Sequence, residues 1–228
     1  MANAAVQSGG DMTTGSAKGS GDRPDHPLER LIFFSDAVFA IAITLLIIDV
    51  HAPHVPYGSP DHAYIQALLD LLPSLFGFFV SFFVIGAFWA GHHRAFALAG
   101  HYSDILNGPN LTMLCSVVFM PFTTSFMSHN VGTLVPTQLY NLSLIATGLL
   151  NIRLVRIVTS PPIVSETVSA ERIAIVRARG PAVVLGALCA MLVAFWDPRF
   201  SQMALITIPL WLRLLRAWTR KRLAAASA

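Results

Sequence analysis

Long apolar runs, separated by short polar stretches, dominate the chain from about residue 31 onward. A helix needs roughly 20 mainly apolar residues to cross about 30 Å of hydrocarbon, and six runs are long enough. They lie at about residues 31–50, 68–93, 108–128, 135–158, 178–196 and 201–218. The pattern predicts an all-α, polytopic membrane protein with six transmembrane helices. Pro73 either begins the second helix or kinks it.

The two ends of the chain differ from this apolar region. Residues 1–27 are rich in Gly, Ser, Ala and Asp and show no periodic apolar face, which predicts a disordered tail. This stretch lacks the basic start, apolar run and cleavage site of a signal peptide, so we expect the first helix to remain in the mature protein. The sequence thus predicts a six-helix membrane domain at 28–220 and a short tail at 221–228.

The distribution of positive charge predicts the orientation. On a six-helix topology, fourteen of the fifteen Lys and Arg residues fall on the side of the termini, and only Arg199 falls on the other. Loops rich in Lys and Arg stay in the cytoplasm, so both termini are predicted to be cytoplasmic. The positive charge indicates contact with anionic lipid. The sequence shows no pattern of stacked aromatic and basic residues that would support nucleic-acid binding, so nucleic acid is not an expected partner.

The composition agrees with a membrane protein and gives no sign of an enzyme. The chain has 228 residues, of which 54% are hydrophobic and 12% charged, against roughly a quarter charged in soluble domains. Cys115 and Cys189 lie singly in different apolar runs, which favours neither a disulfide framework nor a thiolate metal site. The sequence has no Gly-rich phosphate loop, nucleophile elbow or zinc-protease motif, so we expect neither catalysis nor a cofactor. It also lacks a Thr-Val-Gly-Tyr-Gly potassium filter.

One apolar stripe runs along the first predicted helix. With Ile41 placed at zero on a helical wheel, Leu45 lies at about +40° and Ile48 at about −20°. Thr44 lies within about 60° of the same line and adds one hydroxyl to the stripe. Branched apolar residues at this spacing are typical of core or lipid-facing surface. They also suit the wall of a narrow pore, where hydrophobic constrictions gate or filter ions, and periodicity alone leaves both interpretations open.

Polar residues in three of the predicted helices form a second pattern. Asp36 lies about 140° from the apolar stripe, so it faces a different neighbour. Trp89 has an indole donor, and His92 or His93 can also donate to a carboxylate. Asn110 in the third helix can supply a hydrogen bond between helices. Adjacent histidines diverge by about 100° on a helix, which disfavours a metal site.

These residues resemble the signature of a known family. Arg30, the element Phe34-Ser35-Asp36 and the continuation AVFAIAITLLIIDV are similar to the transmembrane protein 175 family, the endolysosomal potassium channels and their single-repeat bacterial relatives. The similarity continues through Trp89, His92 and His93, and through Asn110 and Pro121-Phe122. It covers about the first 125 residues; the last three runs match only in hydropathy and spacing.

The resemblance implies an architecture and a role for each matched residue. The first helix would line a central pore without a filter loop, and a single-repeat chain would form a homotetramer. Ile41 would form the main constriction, with Thr44, Leu45 and Ile48 lining the pore on its outer side. The polar residues would form a structural network comprising Arg30, Phe34, Ser35, Asp36, Trp89, His92, His93 and Asn110.

The leading hypothesis is a passive, potassium-preferring cation channel of a prokaryotic plasma membrane, with potassium and other monovalent cations as its permeant partners and the lipid bilayer around it. A proton-coupled secondary transporter, with Asp36, Asp49 and the histidines as a relay, is the alternative. No inverted repeat is evident in its favour. A noncatalytic membrane scaffold is a third hypothesis.

The loop after the first helix is rich in titratable residues. Asp49, His51, His54, Asp61 and His62 lie within fourteen positions. They fit either an ordinary solvated loop or a pH-sensitive outer mouth that attracts cations through its carboxylates and repels them when the histidines charge.

Overall fold

The computed structural model describes residues 26–226 and is built from helices. The eight α-helices in this part of the chain are α1 (His26–Ile48), α2 (Asp61–Asp70), α3 (Leu72–Phe96), α4 (Asn107–Ser128), α5 (Leu134–Val158), α6 (Ala170–Arg177), α7 (Arg179–Trp196) and α8 (Ile208–Ala226). Two 3₁₀ segments, Asp104–Leu106 and Pro198–Thr207, precede α4 and α8. The described residues contain no β-strand, so the all-α prediction is confirmed. The predicted tail at 1–27 lies outside the described residues except for its last two positions.

Five helical segments are long and apolar enough to cross a membrane. They are Pro27–Ile48, Leu72–Phe96, Asp104–Ser128, Leu134–Val158 and Ala170–Trp196. Each contains or closely overlaps one of the first five predicted spans, so the chain is a polytopic membrane protein. The fifth segment joins α6 to α7 and is longer than the run seen in the sequence.

The predicted sixth span, at 201–218, has a different form. Its first part lies in the 3₁₀ segment Pro198–Thr207 and its second part in α8. Arg213, Arg216 and Arg220 follow at short spacing in α8, so this helix is amphipathic and basic. It is not among the five apolar segments of the described residues.

The second predicted span begins later than the apolar run suggested. Asp61–Asp70 forms the separate short helix α2, and α3 starts at Leu72, after a break at Leu71. Pro73 lies in the first turn of α3, where its missing N–H leaves no helical hydrogen bond unmade. The proline therefore begins the second membrane helix and does not kink it.

Helix α1 buries one face and leaves the other uncovered. The side chains of Ser35, Phe39, Ala42 and Leu46 are buried, and their spacing of three and four residues places them on one side of the helix. This face packs against α3 and α4. On the opposite face Ile41, Thr44, Leu45 and Ile48 are exposed at the surface of the chain.

The second half of the chain is joined by close packing and buried hydrogen bonds. At Gly148 of α5, an added Cβ would lie 2.7 Å from Val184 Cγ2 of α7, so the helices approach each other there as small residues allow in membranes. Asn141 Nδ2 of α5 donates to Ser201 Oγ at 2.9 Å, and Ser201 Oγ donates to the Ala190 carbonyl of α7 at 2.8 Å. These bonds fix the 3₁₀ segment against α5 and α7.

Candidate functional site

The apolar stripe of α1 lies on the uncovered face of the helix. Ile41 is 57% exposed, Leu45 37% and Ile48 65% in the single chain, and Thr44 is also exposed. The stripe therefore lies opposite the face that packs on α3 and α4. It is available for contact with a pore, with other copies of the chain or with lipid.

Thr44 presents its side-chain oxygen on this face. Its hydroxyl lies 2.9 Å from the Ile41 carbonyl and 3.1 Å from the Ala40 carbonyl, so its proton is directed back into the helix. A hydroxyl oxygen keeps acceptor lone pairs when its proton is used in this way. The outward surface of Thr44 can therefore accept a hydrogen bond from water or contact a cation.

Asp36 lies about 140° from the stripe around α1 and is bonded to α3. Trp89 Nε1 donates to Asp36 Oδ1 at 2.8 Å. The indole ring also lies next to the ring of His93, with 5.9 Å between ring centroids. Trp89 and His93 are exposed and Asp36 is half-buried, so this group of side chains lies at the edge of the packed core.

A second chain of hydrogen bonds is buried behind Asp36. Asn110 Nδ2 of α4 donates to Ser35 Oγ at 2.9 Å, and Ser35 Oγ donates to the Leu31 carbonyl at 2.8 Å. Asn110 Oδ1 lies 2.9 Å from His92 Nε2 of α3, so Nε2 carries the proton. Ser35, His92 and Asn110 are fully buried. These hydrogen bonds join α1, α3 and α4 through buried polar groups that are one another's hydrogen-bond partners.

Aromatic rings hold the imidazole of His92 in this position. The ring of Phe96 stacks on it at a centroid distance of 4.4 Å, and Phe39 of α1 meets it edge-on at 5.5 Å. The buried Nδ1 of His92 has no hydrogen-bond partner among the described residues. The orientation of His92 therefore depends on Asn110 and the two rings.

Two residues of the predicted polar network lie apart from it. Arg30 and Phe34 are exposed and line a shallow groove with Tyr102. Within the described residues, Arg30 forms no ion pair with Asp36. The network that the structure brings together therefore comprises two hydrogen-bonded groups, Asp36 with Trp89, and Ser35 with Asn110 and His92.

The residues of the predicted outer mouth lie in and after the loop that follows α1. His51 and His54 are exposed, Asp49 is half-buried, and Asp61 and His62 begin α2. His51 Nδ1 lies 3.0 Å from the backbone carbonyl of Asp49. The histidines are therefore solvent-accessible at the end of α1 opposite Asp36.

One buried hydroxyl cluster was missed by sequence reasoning. Thr124 Oγ1 of α4 donates to Ser81 Oγ of α3 at 2.7 Å, and Ser81 Oγ donates to Tyr140 OH of α5 at 3.2 Å. Single hydroxyls in apolar runs are common helix-interface residues, but no spacing in the sequence pairs these three. The cluster joins α5 to the helices that carry the polar network.

A family model matches the part of the chain that forms this site. Residues 30–121 match the family described as "Endosomal/lysosomal potassium channel TMEM175". This range includes the stripe of α1 and all the hydrogen-bonded groups around Asp36 and Asn110. The resemblance to the TMEM175 family, inferred from the Phe-Ser-Asp element, is confirmed over these residues.

Individual relatives agree with this match. A potassium channel of Streptomyces collinus is 35% identical over 124 residues, which cover 53% of this chain and 59% of the relative. An endosomal/lysosomal proton channel, TMEM175 of Rattus norvegicus, is 28% identical over 124 residues and matches over 24% of its own length. The alignments thus span little more than half of the first relative and a quarter of the second. The family and these relatives are ion channels, not enzymes.

A solved structure extends the likeness of fold to most of the chain. The crystal structure of a lysosomal potassium-selective channel TMEM175 homologue from Chamaesiphon minutus superposes with a TM-score of 0.69 at 24% identity. The superposition covers 84% of this chain and 98% of the homologue. The arrangement of helices is therefore shared well beyond residues 30–121, including the second half, where the sequence likeness fades.

Proposed function

Because residues 30–121 match the TMEM175 family, we propose that this chain forms a passive, potassium-preferring cation channel. Four copies surround an axis, and the apolar stripe of each α1 faces that axis. Ile41 forms the constriction, with Thr44, Leu45 and Ile48 on its outer side. One stripe cannot enclose a pore, so symmetric copies must meet to complete it.

The exposure of the stripe is the observation that supports this proposal most directly. All four of its side chains lie on the face of α1 that the chain itself leaves uncovered. The buried hydrogen bonds from Ser35 to Asn110, and from Asn110 to His92, hold the opposite face of α1 on α3 and α4. A pore helix needs this combination of one anchored face and one free apolar face, and hydrophobic rings gate ions without a charged residue.

The position of the titratable residues favours passive conduction over a proton-coupled transporter. Asp36 and Asp49 are separated by about 20 Å along the axis of α1. Neither the residues between Asp36 and Asp49 in α1 nor those from Leu72 to Gly91 in α3 include Asp, Glu, His, Lys or Arg. A relay of side chains needs titratable groups at hydrogen-bonding steps, and these helices provide none across the middle of the membrane.

The 3₁₀ segment gives a route for a sixth crossing. Its ten residues, Pro198–Thr207, rise about 2.0 Å each, and the six residues of α8 up to Arg213 rise about 1.5 Å each. Together they reach about 29 Å, close to the thickness of the hydrocarbon layer. We infer that this stretch forms the sixth span of a prokaryotic plasma-membrane protein whose termini are cytoplasmic.

Flux through purified protein in liposomes tests the proposed activity. A channel passes potassium down its gradient without a coupled proton movement, and passes it faster than sodium. Proton flux is measured in the same vesicles, because the rat relative is named a proton channel. Saturating exchange of potassium for protons at a fixed ratio, driven by either gradient alone, would replace the channel by the transporter.

A cysteine-accessibility experiment tests the pore position. In a variant with Cys115 and Cys189 replaced by serine, Ile41→Cys should react with a charged, water-soluble thiol reagent and lose flux. Ile47 is 48% exposed but lies about 120° from Ile41 around α1, so Ile47→Cys is the matched control. Block of the Ile47→Cys variant, with Ile41→Cys unaffected, would assign the pore to another face.

A further inference from the structure

A basic pocket lies on the side of the chain opposite the outer loop. It has a volume of about 490 Å³ and opens between the end of α5, the junction of α6 and α7, and the middle of α8. Arg156 and Arg177 line it together with Ile152, Leu215, Trp218 and Thr219. Cavities of about 300–1,000 Å³ are typical of small-molecule sites. The pocket thus combines two guanidinium groups with apolar walls.

Arg177 is held at the wall of the pocket. Its Nε donates to Thr159 Oγ1 at 2.8 Å, and one terminal nitrogen donates to the Thr159 carbonyl at 3.0 Å and to Ser160 Oγ at 2.9 Å. All three acceptors are neutral, so the charge of Arg177 is not cancelled. Its side chain is ordered before any ligand arrives.

The surroundings of the pocket add to its positive charge. With the outer pair Asp197 and Arg199 set aside, residues 153–222 contain ten Lys and Arg residues and two acids. One of these acids, Glu171, pairs with Arg220 at 3.6 Å. The charges of Arg94 and Arg216 also repel that of Arg179. Two acids cannot neutralise this excess.

Helix α8 carries a buried cationic group that lacks a hydrogen-bond partner among the described residues. Arg216 Nε is buried and has no hydrogen-bond partner within the described part of the chain. The guanidinium of Arg222 lies 3.7 Å from the ring centroid of Trp218, which keeps another cation beside the pocket. The net positive charge around the pocket would attract a negatively charged ligand to Arg156 and Arg177, which line it.

We propose that the basic pocket binds the phosphate headgroup of an anionic phospholipid. Arg156 and Arg177 contact the phosphate, and Ile152 and Leu215 contact the start of an acyl chain. Phosphate is the shared chemistry of a lipid headgroup and a free anion. The apolar walls and the position of the pocket on an amphipathic, basic helix favour the lipid. The proposal is independent of ion conduction.

Lipid retention by the full chain tests this site. The protein is reconstituted with equal amounts of phosphatidylglycerol and phosphatidylcholine, re-extracted in mild detergent, and the bound lipid per chain is measured by native mass spectrometry. Phosphatidylglycerol should be retained in preference. Arg156→Gln should weaken its retention about fivefold, the effect of one cation at an anionic membrane surface.

Arg153→Gln is the matched control, because Arg153 is exposed on the same helix and does not line the pocket. It should retain phosphatidylglycerol as the unaltered chain does. Equal retention of the two lipids, or equal loss in both variants, overturns the site. A soluble short-chain phosphatidylglycerol should displace the bound lipid at concentrations where inorganic phosphate does not; equal displacement by phosphate would assign the pocket to a free anion.

Discussion

Trp89 of α3 and Asp36 of α1 are joined by a 2.8 Å hydrogen bond at the surface of the folded chain. Asp36 directly follows Ser35, which is bonded to Asn110 of α4. Neighbouring residues of α1 therefore hold it to two different helices. This arrangement fixes the rotation of α1 about its own axis, and with it the direction in which Ile41 points.

We expect Asp36→Ala to reduce assembly more than it alters selectivity. The substitution removes the acceptor of Trp89 Nε1, and a hydrogen bond to a charged group contributes about 1.5–3 kcal/mol. Asp36→Asn keeps an acceptor oxygen and should be milder, and Trp89→Phe should reproduce part of the loss. Oligomer yield in detergent is the measurement. A fully assembled Asp36→Ala variant with changed selectivity would instead place Asp36 in the ion pathway.

Asn110→Ala should lower the thermal stability of the protein. The side chain is fully buried and bonded to Ser35 Oγ and His92 Nε2, so its removal leaves a buried imidazole donor unpaired, at a cost of about 1–3 kcal/mol. Thr112→Ala is the control on the same helix, because its hydroxyl is exposed and bonds only to the Gly108 carbonyl. Equal melting temperatures for the two variants would contradict this role of Asn110.

The outer histidines should make conductance sensitive to external pH. His51 and His54 are exposed, as is His62 at the start of α2. Histidines ordinarily become charged near pH 6.5 and then repel cations. Conductance should therefore fall as the external pH is lowered from about 7.5 to 5.5. Replacement of all three histidines by glutamine should abolish the fall; a response that survives this change must arise elsewhere.

The ion pair between Asp197 and Arg199 should make no contribution in that pH range. Arg199 donates to Asp197 from two side-chain nitrogens, Nε and one terminal nitrogen, and from its backbone N–H, and these hydrogen bonds lower the pKa of the Asp197 carboxyl below its ordinary value of 3.8. A lowered pKa means that the stabilisation is present above 3.8 and is lost only as the pH falls through the lower value. Arg199→Gln should raise this pKa, measured from the ¹³C carboxyl shift of Asp197. An unchanged titration would show that the pair does not form in the membrane.

The sequence predicted the long apolar helices of the fold better than the 3₁₀ segment and the break between α2 and α3. The length of each apolar run located the first five spans, because the hydrocarbon thickness fixes how many residues a membrane-crossing helix needs. The same measure assumes an α-helical rise, and Pro198–Thr207 is a 3₁₀ segment. Hydropathy also could not separate α2 from α3, because Leu68 and Leu69 of α2 are as apolar as the start of α3 although they are exposed.

Contacts between helices were predictable only where side-chain chemistry limited the choice. The indole of Trp89 and the carboxylate of Asp36 were recognisable partners because a donor in an apolar run needs an acceptor. The family resemblance implied that Arg30 lies beside Asp36, yet Arg30 lines a groove with Tyr102. The hydroxyls of Ser81, Thr124 and Tyr140 meet because of how three helices pack. This packing cannot be predicted from the periodicity of residues within a single helix.

Ile41→Asn should raise basal cation flux and weaken the discrimination between potassium and sodium. If four copies of this side chain converge on the pore axis, they form a dry ring that excludes a hydrated cation. Four amides in its place can hydrogen-bond water and replace part of the hydration shell of the ion. Oligomer yield should stay near that of the unaltered protein, because Ile41 is 57% exposed and contributes little to the packing of the chain.

The control is Ile47→Asn, which makes the same change at a side chain that is 48% exposed but lies off the stripe. It should leave flux per assembled channel unchanged. If Ile41 instead packed between subunits, its replacement would leave an amide buried and unsatisfied, at a cost of about 1–3 kcal/mol per copy, and assembly would fail first. Flux and oligomer yield measured on one preparation separate these cases, since lost oligomer with unchanged flux per surviving channel would remove Ile41 from the pore.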